Sequence, residues 1–292
     1  MEGTINSAYD TDFDPESPND ARAVALRLVG GNKRVLEFGC ATGRVTRALV
    51  DRGCRVTGIE LDTDAAEQAR THADEVVVLD LDYDEFEAKL SGQQWEVALF
   101  GDVLEHLRDP LHVLRATRQL LDRQGTLVLS IPNVAYADVR LALLNGQFPY
   151  GPYGLLDRTH LRFFTRETIT RLLDDAGFVA VDVHRIIMPA FTSELGLRRD
   201  SFPAAVVDAV LADPEAEVYQ YVVRAVIDSG DVVVRDLAER CQRLEQELWA
   251  ARTRYEVERL ELDAELRAIK NGRLMRYSAP LRTLRNRLRR SP

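Results

Sequence analysis

Short apolar segments alternate with segments of helical spacing along most of the chain, and this alternation restricts the possible folds more than any other feature. The predicted strands are residues 34–38, 55–59, 76–79, 96–100 and 126–131. The predicted helices are residues 20–30, 44–51, 63–72, 84–90 and 110–121. Because parallel strands need crossover connections that are usually helices, this order predicts a parallel, doubly wound α/β sheet.

The regular alternation stops at residues 132–163, a stretch that contains several prolines and glycines. A loop-rich insertion of this length inside a compact domain is usually functional, so we expect it to form a lid over an acceptor site. Helix returns at residues 166–176, with Thr165 as the predicted N-cap and Gly177 just past the end. The remaining predicted elements are strands at residues 178–187 and 218–227 and a helix near residues 203–211.

The formal charge of −9 on the 292 residues is a sum over unlike parts. Residues 271–292 hold seven arginines and no acid, which gives +7, and residues 231–270 hold eight basic and ten acidic side chains, which gives −2. The total of −9 less these two contributions leaves −14 on residues 1–230. An acidic body argues against nucleic acid as a partner, because phosphates require a basic surface.

Cysteine content and hydropathy point to a cytoplasmic protein. Cys40, Cys54 and Cys241 show no CxxC spacing, so they predict neither a disulfide framework nor a zinc site. The first residues lack the basic and apolar regions of a secretory signal. No run approaches the ~20 apolar residues that a membrane-spanning helix needs.

The composition changes after residue 230, where we expect the catalytic domain to end. Glycine and proline are absent from residues 231–270, and apolar residues recur there in a 4-3 pattern that predicts a long helix or coiled coil, through which the chain would form homo-oligomers. The alternative is a helix packed back on the sheet. Residues 271–292 have leucines at 3-4 spacing with arginines between them, a pattern typical of a basic amphipathic helix. We expect residues 273–290 to contact anionic lipid or an acidic partner, the alternative being a solvated terminus.

A glycine-containing turn joins the first strand to the following helix, in the sequence Glu37-Phe38-Gly39-Cys40-Ala41-Thr42-Gly43. Such a turn lets a ligand approach the backbone at a helix N-terminus. A dinucleotide fingerprint needs a third glycine where Arg44 stands, and the Gly-Lys-Ser/Thr of a P-loop is absent. Glu60, at the end of the second strand, could accept from ribose hydroxyls, and Asp80, after the third, from an adenine amino group. These residues indicate a nucleoside site without pyrophosphate.

The segment Glu37 to Gly43 resembles motif I of the class I S-adenosylmethionine (SAM)-dependent methyltransferases, with Ala41 in place of the central glycine. The segments 100–110 and 120–133 are similar to that family's fourth-strand and fifth-strand motifs. The resemblance covers roughly residues 20–230. It implies a Rossmann-like seven-stranded sheet whose last strand, 218–227, is antiparallel and lies beside the fifth, followed here by the long C-terminal helix. It also implies SAM as the cofactor and S-adenosylhomocysteine as its product.

The resemblance places the cofactor against the ends of the first four strands. The cofactor-binding residues that it implies are Glu37, Gly39, Cys40, Ala41, Gly43, Glu60, Leu61, Asp80, Leu81, Gly101, Asp102 and Val103. Methyl transfer is an in-line displacement at a sulfonium, so the protein has to supply alignment and a destination for the acceptor's proton.

Two histidines are candidates for the proton-transfer step. His106 follows the fourth strand, and His160 lies in the block that ends the insertion, before a helix where related proteins have a similar histidine. We favour His160 as a general base or acceptor-binding residue, against a purely structural role. Asp157 could orient His160 or bind a metal, but one Asp and one His do not predict a metal site.

The insertion also supplies candidate acceptor-binding residues, namely Tyr136, Tyr150, Tyr153, Arg158 and Arg162. Aromatic rings with two arginines suit a sugar ring or an anionic acceptor, the alternative being ordinary loop packing. The block 155–164 together with the C-terminal segment is similar to proteins of bacterial surface-polysaccharide assembly. We therefore expect O-methylation of a sugar or glycan, with a small aromatic or secondary metabolite as the second acceptor class. A third hypothesis is a non-catalytic coiled-coil scaffold.

Overall fold

A computed structural model of the protein describes residues 11–271, and within them a seven-stranded sheet forms the centre of the fold. The strands are β1 (Arg34–Phe38), β2 (Arg55–Glu60), β3 (Glu75–Val78), β4 (Trp95–Gly101), β5 (Leu121–Pro132), β6 (Phe178–Ile187) and β7 (Val218–Ile227). Their order across the sheet is β3-β2-β1-β4-β5-β7-β6. Strand β7 pairs antiparallel with both β5 and β6, while the pairs from β3 to β5 are parallel. The expected Rossmann-like fold with its antiparallel last strand is confirmed.

Helices connect these strands as the alternation predicted. They are α1 (Ala21–Val29), α2 (Arg44–Val50), α3 (Thr63–Ala69), α4 (Phe86–Lys89), α5 (Pro110–Leu120), α6 (Ala137–Leu144), α7 (Arg166–Ala176), α8 (Ala204–Leu211) and α9 (Val232–Asn271). The ends of α7 follow the prediction: the Thr165 side chain accepts from the Thr168 N–H in a capping box, and Gly177 adopts φ 80° past the last turn.

Both faces of the sheet are buried, as the apolar strands require. Along β1, Leu36 and Phe38 belong to the larger apolar cluster, which also includes side chains of α4, α5 and α7. Val35, which precedes Leu36, belongs to a second cluster built mainly on α1. Alternate residues of one strand thus pack under different helices, which fixes the strand's register and the position of its carboxyl end.

Some boundaries differ from the sequence prediction. Strand β5 begins at Leu121 and not at residue 126, because Leu121 pairs with Trp95 before an irregularity that leaves residues 122–125 outside the regular register. Helix α4 is shorter than predicted, and α3 ends at Ala69, three residues before the predicted end at His72.

The insertion 132–163 contains α6, a helix that the pattern of turn residues did not predict. Several of its apolar side chains are buried, and Leu141 packs with Phe202 and Val207 of the α8 region. Buried Asp138 accepts hydrogen bonds from the Phe191 N–H at 2.8 Å and from the Ser193 hydroxyl at 2.5 Å. The segment 188–216 therefore covers α6, and contacts distant in sequence stabilise this helix where local signals are weak.

Helix α9 spans 40 residues, in agreement with the predicted long helix. The chain divides into two compact units with the boundary after Gln242, inside this helix. Within the first unit Ala238 is buried, and the Gln242 side-chain amide donates to the Ala180 carbonyl at 2.6 Å. The first turns of α9 therefore belong to the sheet domain, which extends beyond the predicted end at residue 230.

No helix among residues 11–271 combines the length and apolar character needed to cross a membrane. The predicted lipid-binding segment, residues 273–290, lies outside the described residues, as do the other residues after 271.

Candidate active site

The carboxyl ends of β2, β1 and β4 lie side by side, because β1 pairs in parallel with both of the other strands. The strand order reverses direction between β1 and β4, and open α/β sheets bind ligands in the crevice at such a point. Most of the predicted cofactor residues follow these three strands. The fold thus brings them to one edge of the sheet.

The turn after β1 depends on two glycines in left-handed conformations, Gly39 at φ 68° and Gly43 at φ 85°. A Cβ on Gly39 would lie 2.6 Å from the Val103 side chain, and one on Gly43 would lie 2.9 Å from the Ala69 backbone. Ala41 also has a positive φ, 47°, and it stands where motif I of the class I methyltransferases has its central glycine. An alanine adopts this conformation at a modest energetic cost, so the turn keeps its shape.

Glu60 fixes this turn against the end of β2. Its Oε2 accepts from the Ala41 N–H at 2.8 Å, and its Oε1 accepts from the N–H groups of Leu61 and Asp62 at 2.8 and 2.9 Å. A carboxylate has about four lone-pair positions, so acceptor capacity is left for ribose hydroxyls. Leu61 beside it is 64% exposed and offers an apolar surface for a base.

Glu37 lies buried beneath the turn, where it accepts a hydrogen bond from the Thr46 hydroxyl at 2.6 Å. The pKa of Glu37 is raised to about 7, mainly by burial and in part by the nearby Glu60, while the Thr46 hydrogen bond opposes the rise. The Cys40 thiol also points into the core, next to Gly58, and burial raises its pKa. Cys40 can therefore serve a ligand through its backbone but not through a thiolate.

Asp80 and Leu81 follow β3 in a local turn. The Asp80 Oδ1 accepts from the Asp82 N–H at 2.9 Å, and the Asp84 carboxylate accepts from the Asp80 N–H at 2.8 Å. Leu81 packs partly against the larger apolar cluster. The turn holds the Asp80 carboxylate at the same edge of the sheet as Glu60.

Asp102 follows β4 with φ 55°, next to the exposed Gly101. Its Oδ1 accepts from the Ser130 hydroxyl at 2.8 Å and from the Gln220 side-chain amide. Burial raises the pKa of Asp102 in spite of these hydrogen bonds. Sequence reasoning missed Gln220, since only the antiparallel pairing of β7 with β5 brings it to this edge.

Glu105, His106 and His160 form a compact cluster beyond the end of β4. Their ligand atoms all lie within 4.8 Å of one another, and the two imidazole rings are 4.8 Å apart between centroids. The Glu105 backbone carbonyl accepts from the N–H groups of Leu161 and Arg162 at 2.8 and 3.0 Å. This contact holds the end of the insertion against the turn after β4.

The two histidines are oriented by neighbours in the insertion. His160 Nδ1 lies 3.2 Å from the Leu155 carbonyl oxygen, and His106 Nδ1 lies 3.1 Å from the Thr159 hydroxyl. Asp157 accepts from both the N–H and the hydroxyl of Thr159, at 2.8 and 2.7 Å. Through Thr159, Asp157 thus orients His106, whereas the sequence suggested that it orients His160.

The predicted acceptor residues separate into two groups. Tyr150 is 56% exposed and Tyr153 is 45% exposed, and Arg158 and Arg162 are also exposed. Tyr136 is fully buried, with its hydroxyl donating to the Pro189 carbonyl at 2.9 Å. The prediction placed Tyr136 on an acceptor surface, but the side chain packs in an apolar cluster under α6 instead.

A family model described as a methyltransferase domain matches residues 15–183, more than half of the chain. The chain belongs to this methyltransferase family. It is a SAM-dependent methyltransferase, as the resemblance implied, and this membership favours an enzyme over a non-catalytic scaffold.

Curated relatives share part of the methyltransferase's sequence. It is 33% identical over 175 residues to a ubiquinone biosynthesis O-methyltransferase of Psychrobacter arcticus, over 57% of this chain and 66% of that protein. It is 29% identical over 183 residues to a protein of the same name from a Ruegeria species, over 61% of this chain and 70% of that protein. The first alignment thus spans just under two thirds of the relative's length.

Solved structures share the fold of the methyltransferase at low sequence identity. A SAM-dependent methyltransferase from Archaeoglobus fulgidus matches with a TM-score of 0.51 and 18% identity, over 71% of this chain and 94% of that one. The CcbJ methyltransferase of Streptomyces caelestis matches with a TM-score of 0.50 and 18% identity, over 77% of this chain and 96% of that one.

The residues at the sheet edge fit the cofactor. A Cβ at Gly39 or Gly43 would clash with the Val103 side chain or the Ala69 backbone, so the turn beside the strand ends requires glycine at both positions. The Glu60 carboxylate has acceptor capacity for a ligand that carries hydroxyls, whereas Glu37 is buried beneath the turn and accepts from Thr46.

Replacement of Glu60 by alanine should weaken binding of S-adenosylhomocysteine roughly 10- to 100-fold. The variant loses charge-assisted hydrogen bonds of about 1.5–3 kcal/mol, and the glycine turn loses its acceptor at the end of β2. Calorimetric titration measures the dissociation constant, with the exposed Glu67→Ala on α3 as the matched control. Equal affinity in the two variants would contradict the ribose-binding role.

The raised pKa of Glu37 makes stability depend on pH. The folded state holds this proton up to about pH 7 and the unfolded state releases it near 4.5, so stability falls as pH rises between these values. Above pH 7 the cost is about 3 kcal/mol, because each pKa unit corresponds to about 1.4 kcal/mol. Glu37→Gln should therefore stabilise the cofactor-free protein at pH 8. Its melting temperature should also change less with pH between pH 5 and 8 than that of the wild type. The exposed Glu75→Gln is the control, and parallel pH profiles for wild type and Glu37→Gln would refute the assignment.

Proposed function

We propose that this methyltransferase methylates a hydroxyl oxygen, with a sugar or glycan as its first acceptor class. The observation that carries the acceptor class is the exposure of Tyr150, Tyr153 and Arg158, which belong to the same insertion as His160. Exposed aromatic rings stack on the apolar faces of sugars, while arginine donates to hydroxyl or anionic groups. The expected role of this protein in surface-polysaccharide assembly requires that the acceptor be a sugar or glycan.

The bound cofactor supplies an electrophilic methyl group on a sulfonium. Glu60 and the turn 39–43 hold the nucleoside, which fixes the direction from which the acceptor oxygen must attack. The acceptor hydroxyl has to lose its proton during the transfer. The cluster of Glu105, His106 and His160 is the group of titratable side chains beside the end of β4, and we assign the proton-handling step to it, with His160 as the predicted base.

A hydroxylated aromatic ring is the second acceptor candidate. Phe148, Tyr150 and Phe163 form an aromatic group with centroid distances of 5.3 to 6.5 Å, and the Phe163 centroid lies 6.3 Å from that of His160. Such a group suits edge-to-face packing of a planar acceptor. The relatives named as ubiquinone biosynthesis O-methyltransferases are consistent with this class.

A screen with labelled SAM distinguishes the two classes. Sugar nucleotides, free glycans and hydroxylated benzoates are the acceptors. Label in either of the first two supports the proposal, while label only in the benzoates favours the second candidate.

His160→Ala should retain S-adenosylhomocysteine binding and lower the turnover number at least 100-fold, since general acid–base groups contribute about 10²–10⁴-fold. The exposed His112→Ala on α5 is the control. Turnover of His160→Ala equal to that of the control would exclude the assignment.

We also propose that α9 mediates self-association. Leu244, Leu248, Tyr255 and Leu262 follow the 4-3 pattern, and between 55% and 63% of each side chain is exposed in the single chain. An apolar seam of this regular spacing is typical of coiled-coil interfaces. Its pairing would bury side chains that are otherwise in contact with water.

Charges placed in this seam should dissociate the oligomer. The variant Leu244→Glu/Leu248→Glu should have the mass of a single 32.9-kDa chain in light scattering. Gln246→Glu/Thr253→Glu adds the same charge away from the seam and should leave the wild-type mass unchanged. A wild-type protein that is already a single chain would refute self-association.

A further inference from the structure

Glu105 lies buried without a partner. Its side chain is 1% exposed, and neither carboxylate oxygen has a hydrogen-bond partner among the described residues. A buried carboxylate without a hydrogen-bond partner destabilises the folded state unless another group satisfies it. Both of its oxygens are therefore available to a cation placed beside the two histidines.

The two histidines present nitrogen atoms to the same place. The Nδ1 of His160 faces the Leu155 carbonyl, and the Nδ1 of His106 faces the Thr159 carbonyl and hydroxyl, at 3.1 to 3.3 Å. An Nδ1–H that donates to a carbonyl leaves Nε2 as the free acceptor of the ring. Metal-binding histidines usually have their second nitrogen oriented in this way, and here Asp157 supports Thr159 from behind.

We propose that Glu105, His106 and His160 bind a divalent transition-metal ion, for which Zn²⁺ is the best fit. Imidazole nitrogens select Zn²⁺ and its neighbours over Mg²⁺, which prefers oxygen ligands. Bond lengths of about 2.0–2.1 Å place tetrahedral ligands roughly 3.4 Å apart. The ligand atoms, which lie within 4.8 Å of one another, need to approach the ion by about an ångström at most. Three protein ligands leave a coordination position open, as in catalytic zinc sites.

Asp157 and His160 alone do not predict a metal site from the sequence. The third ligand, Glu105, stands next to His106 in the segment after β4, where a 3₁₀ turn, Leu104–His106, directs it into the core. The hydrogen bonds from Leu161 and Arg162 to the Glu105 carbonyl bring His160 to this turn. Only the tertiary structure joins these two segments.

The ion's role in catalysis rests on the proposed function. An acceptor hydroxyl at the open position would have a lowered pKa and would release its proton to solvent water. The oxygen lone pair then forms the new O–CH₃ bond while the S–CH₃ bond breaks, and that bonding pair remains on sulfur as a neutral thioether. No electron is lost or gained overall. His160 acts in this scheme as a ligand, which replaces the role of general base predicted for it.

Metal titration of the full chain tests the proposal. Protein stripped with a chelator is titrated with Zn²⁺ in a calorimeter, and with Co²⁺ while its visible absorption is recorded. We expect one ion per chain in the wild type and in His112→Gln, and affinity lowered at least tenfold in Glu105→Gln and His160→Gln. Excess Mg²⁺ should not displace the ion. Titration with S-adenosylhomocysteine checks that each variant is folded.

The outcomes separate the metal site from the proposed function. Absence of Zn²⁺ binding to the wild type, or undiminished affinity in both ligand variants, would overturn the site. If a ligand variant does not fold, the Co²⁺ spectrum of the wild type decides: bands of a low-coordinate nitrogen and oxygen site support the proposal, and thiolate charge-transfer bands refute it. Zn²⁺ binding without methyl transfer to any hydroxyl acceptor would leave the site in place and refute the O-methyltransferase proposal.

Discussion

The parallel pairing of β1 with β2 on one side and β4 on the other determines the position of every other part of the site. Those two ladders place three strand ends at the same edge, so the turn after β1, the carboxylate of Glu60 and the segment after β4 meet there. The registers are fixed by apolar side chains that alternate between two clusters, and a shift of one residue would exchange the clusters. The geometry of the site is therefore a consequence of core packing.

This edge concentrates acidic groups in a way that costs stability. Burial raises the pKa of Glu37, Asp102 and Glu105, and each also lies near another acid or carries a hydrogen bond that only partly compensates. A ligand that binds only the folded state stabilises that state, and a ligand of higher affinity stabilises it more. The sulfonium of the cofactor and a divalent ion are both cations. Both cations are thus complementary to this acidic edge.

Much of the sheet could be predicted, because each strand has its own apolar pattern and each helix its own spacing. Strands β6 and β7 match their predicted limits, and the Gly39–Gly43 turn was recognisable from seven consecutive residues. Contacts between distant segments were not recognisable in this way. Buried Tyr136 looks in sequence like any loop tyrosine, and only its packing under α6 shows that it cannot face an acceptor. Helix α6 itself depends on the segment 188–216, since it has no side-chain cap.

Glu105 shows why the remaining part of the site needs the structure. If Glu105 is ionised, two buried carboxylate oxygens have no donor among the described residues. The described residues thus leave this buried carboxylate unsatisfied. A cation shared with His106 and His160, as proposed above, would satisfy the carboxylate and account for the three side chains lying together beyond the end of β4.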